Sequence, residues 1–149
     1  MALERSFAML KPGIVQRRLV GEVIARLERK GLVLIGIKML HIDRSLAETH
    51  YAEHVGKDFY EPLVSYTISG PVVAMVVQGD DAISILRRLC GPTKVDEAQP
   101  GTIRGDLAFH TRKNVIHASD SLASAEREIG LFFRDNELVV WEDGNHDWF

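Results

Sequence analysis

Leu19-Val-Gly-Glu-Val-Ile-Ala-Arg-Leu-Glu-Arg-Lys-Gly-Leu-Val-Leu-Ile-Gly-Ile-Lys-Met-Leu-His41 changes its rhythm halfway along. In the first half the apolar residues Leu19, Val20, Val23, Ile24 and Leu27 return at helical spacing, which predicts a helix from Leu19 to Lys30. Gly31 ends it, because a left-handed residue is a common way to close a helix. From Leu32 to His41 mixed aliphatics predict a strand. Upstream, Arg5-Ser-Phe-Ala-Met-Leu10 reads as another strand and stops at Lys11-Pro12-Gly13. The chain therefore opens β-α-β.

Downstream the same reading continues. Ser45-Leu-Ala-Glu48 has the form of a capping box and predicts a helix to about His54. A second short helix follows from about Asp58 to Thr67. Gly70-Pro71 breaks the chain, and Val72-Val-Ala-Met-Val-Val77 is a buried strand. Asp80 or Asp81 caps a helix that runs to Cys90. Gly91 to Gly105 contains two prolines and three glycines and reads as one long irregular segment. Such a loop in a small domain is commonly functional. Val115 to His117 forms a short strand and Leu122 to Phe133 a helix. Glu137 to Phe149 is a tail carrying both tryptophans. The order reduces to β-α-β-β-α-β with helices inserted. The expected fold is α+β: a ferredoxin-like antiparallel four-stranded sheet covered by helices on one face, with extra helices and a long loop.

Length sets the frame for function. A chain of 149 residues is expected to form a single domain, 1–149, with a core of its own. Hydrophobic residues make up 46 % and charged residues 26 %, ordinary for a globular protein. The formal charge of −3 argues against a dedicated nucleic-acid binder. One cysteine, Cys90, rules out an internal disulfide and fits a reducing, cytoplasmic setting. No signal peptide is apparent, and no apolar run approaches bilayer length.

Chemistry concentrates in two segments, Pro100-Gly-Thr-Ile-Arg-Gly-Asp106 and Asn114-Val-Ile-His-Ala-Ser-Asp-Ser121. The second puts His117 at a strand end, where an imidazole is held firmly yet meets ligands. Alone, such a histidine is more often structural. Glu128 in the next helix supplies an orienting partner for one ring nitrogen, leaving the other as nucleophile. Ser119 is placed to bond that carboxylate or the transferred group. Arg104, flanked by Gly105 where a bulky neighbour would obstruct a ligand, joins Arg87 and Thr93 as donors suited to a polyphosphate. An exposed Phe59 would stack on a base without reading its edges. Lys11 and Asn114 are candidates for sugar hydroxyls, and Tyr51 and Phe59, taken alone, read as core aromatics. The chain has no P-loop, no Gly-x-Gly-x-x-Gly fingerprint and no Cys/His metal spacing.

Six segments together resemble nucleoside diphosphate kinase over nearly the whole chain. They are Ala8-Met-Leu-Lys11-Pro12, Val20-Gly-Glu-Val-Ile, Ser69-Gly-Pro-Val-Val-Ala-Met-Val76, the two chemical segments, and Glu126-Arg-Glu-Ile-Gly-Leu131. The resemblance implies an enzyme that passes the γ-phosphoryl of a nucleoside triphosphate to a nucleoside diphosphate. It implies a ping-pong mechanism through phosphohistidine, with Mg2+ as cofactor held mainly by the nucleotide phosphates rather than by protein ligands. By position, His117 matches the nucleophile and Glu128 its orienting partner. Lys11, Tyr51 and Asn114 match sugar and phosphate contacts. Arg87, Thr93 and Arg104 match the phosphate clamp, assisted by His54. Phe59 and Thr111 match the two walls of the base slot.

The pattern also departs from the family. Thr111 stands where valine is usual, Ala118 where glycine is usual, and Thr93-Lys94-Val95 where Thr-Asn-Pro is usual. Ala118 is costly only if its backbone needs positive φ. Val95 in place of proline is expected to loosen the loop. A homo-oligomer is implied, hexamer favoured over tetramer. Two other classes compete with the kinase: a nucleotide-binding regulatory protein on the same fold, and a phosphatase that passes the phosphoryl to water.

Overall fold

A computed structural model describes residues 3–149. Its regular elements are β1 (Leu3–Leu10), α1 (Val20–Lys30), β2 (Val33–Leu40), α2 (Arg44–His50), α3 (Tyr60–Thr67) and β3 (Val72–Asp80), followed by α4 (Ala82–Cys90), α5 (Ile103–Leu107), β4 (Ile116–Ala118) and α6 (Leu122–Phe132). The strands lie in the order β2-β3-β1-β4, and every neighbouring pair is antiparallel. This is the split β-α-β arrangement expected from the element order, with α2 and α3 inserted between β2 and β3.

Helices cover both faces of the sheet, not one. Ala8, Leu10, Val73, Met75 and Val77 pack with Val23 and Leu27 of α1 and Leu86 of α4. Phe7, Met9, Val72, Ala74 and Val76 pack on the other side with Ala47 of α2, Val64 of α3 and Phe132 of α6. Alternate side chains of a strand point to opposite faces, so a strand buried on both sides needs apolar residues at every position. That is why Val72–Val77 reads as an unbroken apolar run.

Three helix starts differ from the sequence reading. The residue capping α2 is Asp43, whose carboxylate accepts from Leu46 N at 2.8 Å, so the helix opens before Ser45 and ends at His50. An anionic acceptor beside the first turn also complements the helix dipole. Asp81 does precede α4, yet its side chain makes no cap; Glu4 of β1 accepts from Ile83 N instead, at 3.2 Å. Within the segment Gly91–Gly105, residues Val95–Glu97 form a 3-10 turn, and Thr102 caps α5 by accepting from Gly105 N at 3.0 Å.

The tail is anchored along β2. The ladder of β2 shifts register between Leu34 and Gly36. Ile35 O accepts from Val139 N at 2.7 Å, and Leu34 O accepts from Trp141 Nε1 at 3.0 Å.

Candidate active site

His117 sits in the middle of β4, directly across from Met9 of β1. Its ring faces the layer that contains Phe7, 5.9 Å away between centroids. His117 Nε2 lies 2.9 Å from Glu128 Oε2 on α6. The other carboxylate oxygen accepts from Ser119 Oγ at 2.6 Å. Ser121 fixes the start of α6 by accepting from Ser124 N. An ionised carboxylate only accepts, so its bond assigns the proton of a neutral His117 to Nε2 and leaves a lone pair on Nδ1.

The chain enters β4 through a strained turn. Val115 has φ +66°, and Ile116 N donates back to Asn114 O at 2.8 Å. A β-branched residue in that region is an outlier, and such outliers cluster at functional sites. The turn leaves Val115 O to accept from Lys11 N at 2.9 Å, while Lys11 Nζ donates to Asn114 Oδ1 at 2.8 Å. Ala118 is not among the positive-φ residues, so alanine there carries no backbone cost.

Three cations converge on this turn. Burial, and then the charge of Arg104, push the Lys11 ammonium down to about 7. Arg87 donates to Ala118 O at 3.2 Å. Arg104 is buried and donates to three backbone carbonyls: Gly91 O and Ile116 O at 2.7 Å each and Asn114 O at 3.3 Å. Gly105 beside it has a different reason from the one expected. A Cβ there would collide with the carbonyl of Gln99, so the loop's own backbone, not a ligand, demands glycine.

Phe59, Thr111 and His54 gather at the far end. Phe59 is 45 % exposed, and its ring lies 5.1 Å from that of His54. Thr111 Oγ1 accepts from Val95 N at 3.0 Å. Proline at 95 would have no N–H to give, so the two departures from the family pattern form one hydrogen bond. That bond counters the looseness expected of Val95. Asn114 Nδ2 donates to Thr93 O at 3.4 Å, closing the ring of contacts.

One cavity of about 660 Å³ collects these side chains. Lys11, Tyr51, His54, Phe59, Arg87, Thr93, Arg104, Thr111, Asn114, His117 and Glu128 all line it; Ser119 lies behind Glu128, fully buried. The sequence reading missed His50, Glu53, Arg112 and Asp120, which also line it. For His50 a signal existed: Ala47 and His50 are three apart and share the inward face of α2.

An imidazole with a free lone pair, ringed by cations at one end of a cleft and an aromatic at the other, has the chemistry of a phosphotransferase acting on nucleotides. The comparisons agree. The profile of one family, nucleoside diphosphate kinase, matches residues 4–138. The nucleoside diphosphate kinase of Archaeoglobus fulgidus is 60 % identical over 146 residues, 98 % of this chain and 97 % of the relative. That of Treponema pallidum (strain Nichols) is 56 % identical over the full length of both. A halophilic nucleoside diphosphate kinase from Halobacterium salinarum, solved in complex with CDP, superposes with a TM-score of 0.96 at 49 % identity, covering 99 % of this chain and 98 % of its own. The chain belongs to the nucleoside diphosphate kinase family.

Proposed function

We propose that residues 1–149 act as one domain that transfers the γ-phosphoryl of a nucleoside triphosphate, mainly ATP, to a nucleoside diphosphate, maintaining NTP and dNTP pools. The observation that carries this is the His117–Glu128 pair, which holds one ring nitrogen and leaves Nδ1 as nucleophile. The lone pair of Nδ1 attacks the γ-phosphorus, the bond to the β-γ bridging oxygen breaks, and the diphosphate leaves. In the second half a β-phosphate oxygen of the acceptor attacks the phosphohistidine and restores the neutral ring. Glu128 neutralises the positive charge that the ring gains, and Ser119 fixes the carboxylate. Arg87, Arg104, Lys11 and Thr93 meet the charge moving over the phosphate oxygens. Phe59 and Thr111 flank the base; Asn114 and Tyr51 meet the sugar and phosphates, with His54 assisting. Stacking reads no base edge, which supports low base selectivity; the CDP held by the Halobacterium salinarum relative is in line with this.

A divalent cation, Mg2+ in this reading, arrives on the phosphates. The donor set supports that: Lys11, Arg87, Arg104 and Arg112 line the cavity to receive phosphates, and Glu128 is already committed to His117 and Ser119. Asp120 and Glu53 are the other carboxylates on the cavity wall, and Asp120, held below the usual carboxylate range by a hydrogen bond with Ser124, would meet the ion or its waters. Intact mass after ATP, then after GDP, tests the reaction. One phosphoryl should be gained and then lost as GTP forms. Continuous phosphate release from ATP alone would favour the phosphatase, and no phosphoenzyme would favour the regulatory protein.

Lys11 gives the reaction a pH signature. In the free protein its ammonium titrates at about 7, below its ordinary 10.5. A bound polyphosphate favours the charged form and moves the value back up. Between the two values binding must take up a proton, so affinity falls as pH rises through that window. Calorimetry near pH 8.5, in two buffers of different ionisation enthalpy, should report uptake approaching one proton per site. The nucleotide's own terminal phosphate is already ionised there. Absence of uptake would overturn the assignment.

The same reading extends to assembly and place. We favour a homo-oligomer, hexamer over tetramer, in the cytoplasm and without a specific nucleic-acid partner. Ile37 and Met39 are exposed on edge strand β2, and Val140, Trp148 and Phe149 are exposed on the tail. The tail covers the edge of β2 only at Leu34 and Ile35, and an edge left open beyond it with exposed apolar groups favours a partner surface. Cys90 is buried and free, in keeping with a reducing compartment. Among the described residues no helix is long and apolar enough to cross a membrane. Light scattering at dilute concentration should give six subunits; a tetramer, or a stable monomer with full activity, would overturn the hexamer.

A further inference from the structure

His50 is an anomaly. Its side chain is buried, with 3 % of the residue exposed, and neither ring nitrogen has a hydrogen-bond partner among the described residues. Buried polar atoms are almost always paired, so an orphaned imidazole beside a reaction centre asks for an explanation. The ring is enclosed edge-on by Phe7, Phe132 and His117, the last at 4.7 Å between centroids and 79° between planes. His50 Nδ1 lies 4.0 Å from Glu128 Oε2, the same oxygen that bonds His117 Nε2.

Its mounting is firm. Arg127, the neighbour of Glu128 on α6, donates to the carbonyls of Thr49 and His50. These bonds satisfy carbonyls at the end of α2 and tie it to the helix that carries Glu128. Burial, reinforced by the charges of Arg127 and Lys11, holds His50 neutral by pulling its pKa down to about 2. A neutral imidazole carries one N–H, and a carboxylate oxygen has room for a second donor.

We infer that His50 is a positioning residue: in the reacting state its Nδ1–H donates to Glu128 Oε2, beside the bond from His117 Nε2. The inference rests on the phosphohistidine reading of this cavity. Catalytic hydrogen bonds are often long in the free protein and tighten as the reaction proceeds. When Nδ1 of His117 takes the phosphoryl, its ring becomes cationic and draws the carboxylate closer. A second donor on that oxygen fixes its direction and keeps the Nε2–H bond straight.

Two variants separate donation from packing. His50→Phe keeps a flat ring and removes the donor; His50→Asn keeps a donor near the Nδ1 position and loses ring volume. Rapid-quench phosphorylation at saturating ATP should slow about tenfold in the first and within about threefold in the second, with nucleotide affinity changed by less than about twofold in both. A packing role predicts the opposite order. His50→Phe as fast as the parent, or His50→Asn as slow as His50→Phe, overturns the inference. Nitrogen-15 NMR of the parent gives a reading that depends on no variant folding: His50 should be protonated on Nδ1, and an Nε2–H tautomer overturns the inference. A parent that takes no phosphoryl defeats the phosphohistidine reading and this inference with it; a phosphorylatable parent with an unslowed His50→Phe defeats this inference alone.

Discussion

His117→Ala should abolish phosphoenzyme formation and turnover while leaving the fold intact. No other ring stands ready to substitute. His50 is the nearest imidazole, but both its nitrogens are buried and it faces the Glu128 carboxylate. His54 lies beside Phe59 at the other end of the cavity. Loss of a nucleophile that acts as a unit with its partner typically costs on the order of 10⁴ or more in kcat. The structural cost is small by comparison. His117 is only half-buried on a three-residue strand, and its backbone pairing with Met9 does not depend on the side chain. Glu128 keeps its bond from Ser119, so the buried carboxylate is not left alone. Intact mass after ATP and thermal melting check the two halves together. Phosphoenzyme forming at the parent rate in this variant would sink the assignment of His117.

Much of the fold was legible because local chemistry and global packing agree along most of the chain. The helical spacing of Val20, Val23 and Leu27 and the stop at Gly31 place α1 within a residue of its observed ends. The apolar run at Val72 marks a strand buried on both sides. What that run could not say is how the helices divide between the faces. An amphipathic helix declares that it has an inner side, and nothing in its pattern names the face of the sheet it meets. Caps show the same limit. Ser45 and Glu48 have the spacing of a capping box, yet Asp43 lies at the point where the backbone leaves β2 and wins the position. Glu4 reaches Ile83 N from another strand, a contact that no local reading contains. Of the site, the residues with exposed or conspicuous chemistry were legible and gather in one cavity. The strained turn at Val115, the collision that forces glycine at 105 and the unpaired imidazole of His50 were not, because each depends on atoms distant in sequence or on backbone angles. The bond from Val95 N to Thr111 Oγ1 belongs with them: two departures, one of them expected to loosen the loop, turn out to be partners.

Arg104→Ala, unlike Arg87→Ala, should damage stability and catalysis together. Its guanidinium spans the end of α4 at Gly91, the turn at Asn114 and strand β4 at Ile116, with one donated bond to each. Its bonds add to those from Arg87 to Ala118 O and from Asn114 to Thr93 O, which also join α4 and the loop after it to the β4 region, so the fork acts as a buried clasp behind the loop that presents His117. Alanine leaves buried carbonyls to find water or go unpaired, at about 1–3 kcal/mol for each that fails. A loss of about 3 kcal/mol is a large share of the roughly 5–15 kcal/mol by which such domains are stable. It should lower the melting temperature by about 10 °C. Lysine should not rescue it, because a point charge on a flexible stem does not reproduce a planar fork with three simultaneous bonds. Arg87→Ala provides the contrast. Arg87 is half-buried and makes a single bond, to Ala118 O, so it should lose kcat with little change in melting. Both arginines face the cavity, and both should lower kcat as well as raise KM, since charge moves onto phosphate oxygens only as the phosphoryl transfers. Denaturant unfolding and steady-state kinetics on the pair separate the two roles. An Arg104→Ala chain as stable as the parent would remove the clasp, and a change in KM alone would reduce Arg104 to ground-state binding.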